Sequence, residues 1–207
     1  MVFKIGLIIL AAGSATRMGR PKQLLSYQGR SLILHAVEVA LASMSQPIIV
    51  VLGAYVEQIK PELMPKAVQV VENSQWQEGM SSSIRAGISM LLKTNSKLDG
   101  VIISLADQPL VSPQIFNQLI QSYQETQKVI IASKYNETTG VPALFSNALF
   151  PELMQLEGDK GAKALIQKYI DTGLILLIPE AAIDIDTPDD YKQLLLKNFK
   201  ERRNYEN

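Results

Sequence analysis

At 207 residues, 47% of them apolar and 19% charged, the chain has the length and composition of one globular domain over 1–207, with enough apolar surface to form a core without covalent staples. Twenty basic residues balance twenty acidic ones, which argues against nucleic-acid and anionic-membrane partners. Cysteine is absent, which excludes disulfides, thiolate catalysis and cysteine-ligated zinc. No apolar run approaches the roughly 18 residues of a membrane helix, and the first strand begins too near Met1 to leave room for a signal peptide, so a cytoplasmic location is expected.

From the N-terminus, IGLIIL (5–10) reads as a strand leading into the loop LAAGSATRMGRPKQLL (10–25). SLILHAVEVALAS (31–43) is amphipathic and opens on Ser31, an N-cap residue type. Strands follow at PIIVVLG (47–53) and VQVVE (68–72), then a helix at SSSIRAGISMLL (81–92) and a strand at GVIISLAD (100–107). SPQIFNQLIQSYQ (112–124) sets Ser112 before Pro113, and TPDDYKQLLLKNF (187–199) repeats the arrangement with Thr187 and Pro188, both signatures of a helix start. KVIIAS (128–133) and LILLIP (174–179) complete the strands. The run KYNETTGVPALFSNALF (134–150) is polar and then extended, a β insertion or sheet-edge element, while KERRNYEN (200–207) is expected to fray. Near-continuous Ile and Val in the strands require a sheet covered on both faces. The alternation of strands and helices therefore predicts an α/β, three-layer α/β/α Rossmann-like fold with a mostly parallel sheet and a small β insertion.

In such a sheet ligands bind beyond the carboxyl ends of the strands, near the point where strand order reverses. The small residues Ala11, Ala12 and Gly13 let a ligand approach their backbone N–H groups, and Arg17 and Lys22 add positive charge, the combination a polyphosphate needs. A dinucleotide fingerprint is absent, because five residues separate Gly13 from Gly19, and a P-loop is absent because Gln23 follows Lys22. The alternative is an ordinary strand–helix turn with solvated cations. Asp107 ends a buried strand, and a carboxylate there suits Mg2+ held by one or two protein ligands, with water and phosphate completing the shell; it also suits a turn before Pro109. Asp184 and Asp186 would face one way in an extended segment with Ile185 turned inward. That pair can complete a magnesium site, or Asp186 can cap the next helix. Gly79 and Ser81–Ser83 at a helix start offer either an N-cap or a nucleotide contact. EGDKGAK (157–163) offers Lys160 and Lys163 to an anion, or Asp159 as an N-cap beside solvated lysines. His35, the one histidine, reads as structural, and Trp76 as packing beneath the 79–83 loop.

Taken together, LAAGSATRMGRPKQLL, GMSSSIRAGI (79–88), LADQPLV (105–111), GVPALF (140–145), LEGDKGAKALI (156–166) and DIDTPDDY (184–191) resemble, in order and over almost the whole chain, the motifs of the MobA-like nucleotidyltransferase family. Thr16 stands where many members carry serine, and Val141 where many molybdopterin-specific members carry histidine. The LAAG of Leu10–Gly13 is similar to that of the molybdenum cofactor cytidylyltransferases within the family. The resemblance implies a nucleotidyltransferase fold and transfer of CMP from CTP to the phosphate of molybdopterin, with pyrophosphate released. It implies that Arg17 and Lys22 act catalytically on the triphosphate. It also implies nucleotide contacts from Leu10, Ala11, Ala12, Gly13, Ser14, Ser82, Ser83 and Asp107, with Mg2+ on Asp107 and Asp186. A molybdoenzyme or maturation partner would receive the product. The competing readings are transfer to another phosphorylated acceptor, such as a sugar phosphate or cofactor fragment, and a non-catalytic nucleotide-binding maturation factor; an oxidoreductase is disfavoured by the missing fingerprint.

Overall fold

The computed structural model describes residues 3–94 and 97–205, with side chains through 197. In chain order the elements are β1 (Ile5–Ala11), β2 (Ser26–Tyr27), β3 (Arg30–Ser31), α1 (Leu32–Leu41), β4 (Ile48–Leu52), α2 (Val56–Leu63), β5 (Gln69–Glu72), α3 (Met80–Thr94), β6 (Gly100–Leu105), α4 (Pro113–Thr126), β7 (Ile130–Tyr135), β8 (Thr138–Ser146), α5 (Phe150–Leu153), α6 (Lys163–Lys168), β9 (Leu174–Leu177) and α7 (Pro188–Tyr205). Seven strands form one sheet in the order β5-β4-β1-β6-β8-β7-β9. All neighbours pair in parallel except β8, which runs antiparallel to both β6 and β7.

The continuous apolar character of β1 has a direct cause. Leu7, Ile9 and Ala11 point into one core layer with α1, α2 and α4. Ile8 and Leu10 point into the other, with α3, α5 and α6. Each face of the sheet is therefore covered, and alternate side chains feed opposite layers. A third, smaller cluster of Met18, Leu25, Tyr27, Leu32, Ile185 and Leu194 joins the loop after β1, the β2–β3 ribbon and α7. Ile185 is fully buried there, and burying a side chain of that size stabilises by about 1.5–3 kcal/mol.

Several sequence expectations are refined. Ser31 caps α1 by accepting from the Leu34 N–H, whereas Ser112 precedes α4 without a side-chain cap. The extended part of 134–150 is not at the sheet edge: β8 lies between β6 and β7, paired on both sides. Three helices lacked a clear sequence signal. α2 contains Pro61, and α5 and α6 span 4 and 6 residues, too short for a periodic stripe. α7 extends through Tyr205 into the charged tail, whose last two residues lie outside the described ones. No helix among the described residues is long and apolar enough to cross a membrane.

Candidate functional site

From β1 the chain passes to β4 and β5 on one side of the sheet and later to β6 on the other, so strand order reverses between β1 and β6. The loops leaving these two parallel strands at their carboxyl ends flank the crevice where α/β sheets take ligands.

The loop after β1 has its carbonyl groups tied to the scaffold. The buried Gln23 amide donates through Nε2 to the carbonyls of Ala11 and Gly13, each at 2.9 Å. The Ala54 N–H donates to the Ala12 carbonyl at 3.0 Å and the Tyr55 hydroxyl to the Ser14 carbonyl at 2.8 Å. Among the described residues nothing accepts from the Gly13 and Ser14 N–H groups, so the loop's donors are available to an anion, as a nest of N–H groups is. The loop forms one wall of a cavity of about 480 Å3, bordered also by Lys22, Trp76, Gly79, Ser83, Asp107 and Asp159. Gly53 allows this wall to form, since a Cβ there would lie 2.7 Å from both the Ala12 carbonyl oxygen and Trp76 Cβ.

Four charged side chains meet at the mouth. Lys22 donates to Asp107 Oδ2 and, at 2.7 Å, to Asp186 Oδ1, while Arg17 donates to Asp186 Oδ2 at 2.8 Å. Arg17 is 69% exposed, at the rim, whereas Lys22 and Asp107 are 15% and 16% exposed. Burial alone would lower the Lys22 pKa, but Asp107 and then Asp186 outweigh it and hold the ammonium above its ordinary value. Burial likewise opposes ionisation of Asp186, yet Lys22 and Arg17 bring its pKa below the ordinary carboxylate value. Asp186 does not cap α7. Thr187 and Asp190 form that cap instead: Thr187 Oγ1 accepts from the Asp190 N–H at 3.2 Å, and Asp190 Oδ2 accepts from the Thr187 N–H at 2.8 Å and the Asp186 N–H at 3.2 Å.

Behind this cluster lies a glutamine the sequence reading missed. Gln108, 4% exposed, donates through Nε2 to the carbonyls of Val141 at 3.2 Å and Ala181 at 3.0 Å. The Ile185 N–H adds a bond to the Asp107 carbonyl at 3.0 Å. The strand carrying Asp107, the β8 segment carrying Val141 and the segment carrying Asp184 and Asp186 are thereby joined. Burial, and then repulsion from Asp107, raise the Asp184 pKa to about 6. Tyr135, beside them, is raised above its ordinary value by burial first and then by Asp184 and Asp107.

The serine run divides in role. Ser83 borders the cavity, but Ser82 does not present its hydroxyl there: it donates to the Gln75 and Gly79 carbonyls and accepts from Asn73 Nδ2, pinning the turn before α3. Gly79 adopts φ +100°, and a Cβ on it would collide with Asp159 and lie 2.8 Å from the Gly158 carbonyl. The 157–161 loop therefore presses on the start of α3. Asp159 faces the cavity rather than capping α6, whose N-cap is Ala162, and Lys160 and Lys163 are exposed. Trp76 both packs on the second core layer and borders the cavity. His35 is structural: its Nε2 lies 3.0 Å from the Pro109 carbonyl, its ring meets Tyr27 edge-on at 4.9 Å, and burial keeps its pKa low.

The donor set is suited to a hard divalent cation. Asp107 Oδ1 is buried without a hydrogen-bond partner, and its other oxygen and Asp186 already converge on one positive charge. No cluster of three or more His, Cys, Asp or Glu side chains is placed to hold a metal among the described residues, so phosphate and water oxygens would have to fill the remaining positions, as they commonly do for Mg2+.

Comparison with known proteins gives the chain's family and fold relatives. Residues 7–172 match the MobA-like NTP transferase domain. The chain is 30% identical over 199 residues to nicotine blue oxidoreductase of Paenarthrobacter nicotinovorans, covering 91% of this chain and 95% of that one. It is also 30% identical over 199 residues to the purine catabolism protein PucB of Bacillus subtilis, covering 89% and 92%. The crystal structure of Rv0371c from Mycobacterium tuberculosis superposes with a TM-score of 0.80 at 28% identity, covering 94% of this chain and 98% of that one. A second crystal structure of Rv0371c is a complex with manganese.

Proposed function

The chain belongs to the MobA-like NTP transferase family, and from that premise we propose that it acts in the cytoplasm to transfer CMP from CTP to the phosphate of molybdopterin, releasing pyrophosphate. The observation that carries the reading is the meeting of Lys22, Arg17, Asp107 and Asp186 beside a loop whose Gly13 and Ser14 N–H groups are unpaired among the described residues. In the reaction an oxygen of the acceptor phosphate forms a bond to the α-phosphorus, and the bond from that phosphorus to the bridging β-phosphate oxygen breaks, its electron pair leaving with pyrophosphate. Such a transfer needs in-line positioning and charge neutralisation more than covalent help.

The backbone of Leu10–Ser14 and the Ser83 hydroxyl hold the nucleotide, with Ser82 shaping the turn behind it. Arg17 and Lys22 receive the charge that grows on the leaving pyrophosphate. Asp107 and Asp186 hold Mg2+, which supplies Lewis-acid polarisation of the phosphate oxygens when bound. A phosphate monoester with a second pKa near 6 is mostly dianionic at neutral pH, so the acceptor needs no general base, consistent with a site without histidine.

A second reading, transfer of a nucleotidyl group to a different phosphorylated acceptor, is favoured by Val141 on the acceptor side, where the molybdopterin-specific pattern has histidine. Pyrophosphate release with Mg2+ separates the two, using CTP, GTP, ATP and UTP, each with and without molybdopterin-type cofactor. Release only with CTP and cofactor together is the expected result. Nucleotide binding without release would remove molybdopterin as acceptor and leave another phosphorylated acceptor or a non-catalytic maturation role. NADPH consumption is followed in parallel, since one relative is named an oxidoreductase; turnover there would overturn the transferase assignment.

A further inference from the structure

We infer that Lys22 occupies the position a divalent cation requires, so that metal and ammonium compete for one pair of carboxylates and the nucleotide relieves the competition. The inference rests on the assignment of Asp107 and Asp186 as the metal-holding pair. Two carboxylates that approach one another repel unless a cation lies between them. Here that cation is the Lys22 ammonium, which donates to Asp107 Oδ2 and to Asp186 Oδ1 at 2.7 Å. A divalent ion bridging the same two carboxylates would meet this ammonium in a setting only 15–16% exposed at Lys22 and Asp107, where solvent screens charge poorly.

The ammonium must therefore move as the ion enters. It borders the cavity, so the phosphate oxygens of a nucleotide bound there would offer it new acceptors on that side. Arg17 differs. It touches only the second oxygen of Asp186, from the exposed rim, and does not stand between the carboxylates. Metal and nucleotide binding are thus coupled through one side chain, and by linkage each strengthens the other to the same degree.

The test is Mn2+ binding to the full-length protein without nucleotide, read from loss of the free-ion electron paramagnetic resonance signal. Lys22→Met should bind Mn2+ about tenfold or more tightly than wild type, a change that corresponds to about 1.4 kcal/mol, although the same substitution slows turnover. Arg17→Met removes equal charge and should change Mn2+ affinity by less than about threefold. An unchanged or weaker affinity in Lys22→Met overturns the inference. An equal gain in Arg17→Met overturns it too, since net charge alone would then account for the effect. Thermal unfolding checks that the variants are folded, and Lys22→Gln gives the same reading if the methionine variant is not. Metal dependence of pyrophosphate release by the wild type is measured separately: its loss removes the metal assignment itself, whereas its presence with no gain in Lys22→Met removes only the competition.

Discussion

Gln23 lines the cavity and Gln108 lies behind the charged cluster at its mouth, and each commits one buried amide to two backbone carbonyls. Gln23 reaches Ala11 and Gly13, 12 and 10 residues away within its own loop. Gln108 reaches Val141 and Ala181, 33 and 73 residues away, and so joins three separate parts of the chain. Each also directly follows a charged residue that borders the cavity, Lys22 or Asp107, and both glutamines are buried. On the proposed assignment, then, Gln23 braces the nucleotide side through bonds within its own loop, whereas Gln108 braces the acceptor side by joining distant segments. Nucleotide geometry should resist change on the acceptor side, and the reverse should hold.

Substitutions can break or sharpen this contrast. The largest effect is expected at Asp107, which belongs to both sides. Asp107→Ala removes the proposed metal ligand, and an ion held there would be worth several kcal/mol to the transition state, so kcat should fall about a thousandfold with the far-ultraviolet circular dichroism spectrum unchanged; a near-normal rate would remove Asp107 from the metal site. Next come the two glutamines. Either alanine variant leaves two carbonyls without their donor and should lower unfolding stability in urea by about 1–3 kcal/mol. Their kinetics should diverge: Gln23→Ala should raise the nucleotide KM about tenfold, while Gln108→Ala should lower kcat by a similar factor with nucleotide KM held within twofold, an estimate scaled from an effect of about 1.4 kcal/mol. If both variants shift the same constant, the two sides are not independent.

The smallest effect concerns pH. Asp184 is raised from 3.8 to about 6 by burial and then by Asp107. Because the folded pKa lies above the unfolded one, its contribution to stability is fully present below about pH 4 and is lost as pH rises through about 6. Asp184→Asn has no such dependence. The stability of wild type relative to this variant should therefore decline between pH 4 and 6 and level off above; a flat difference across that range would show that Asp184 is not held protonated by its surroundings.

The same contrast explains what could be read from sequence. Strands of continuous Ile and Val, capped helices such as α1, and the Ala11–Gly13 loop with Lys22 carry their causes within a few residues. Asp107 at the end of a strand and Ile185 between two aspartates were legible for the same reason. Gln108 was not, because its partners are distant and nothing local distinguishes a buried glutamine from a solvated one; a polar side chain directly after the cavity-facing Asp107 was the available signal. Ser82 and Ser83 sit side by side in one serine run and both accept from Asn73, and only the bonds of Ser82 to the Gln75 and Gly79 carbonyls distinguish the serine that pins the turn from the one that borders the cavity. Of the two readings of 134–150, β insertion or sheet-edge element, the edge does not hold, and the polar start of β8, Thr138–Gly140, hides the doubly paired strand that follows.

That antiparallel strand has a consequence for how such a protein can diversify. β7 runs parallel to β6, so the turn at Asn136 and Glu137 overhangs the same sheet edge from which the Lys22 and Asp107 loops emerge, and β8 then descends from that edge with Val141 near its top. Residues added at this tip would extend the hairpin above that sheet edge without shifting any strand pairing below it. The parallel strands β5, β4, β1 and β6 would be untouched. The hairpin's length can thus change while the parallel strands and the loops they carry stay as they are, which, on the proposed function, would let acceptor choice vary on one nucleotide-handling base.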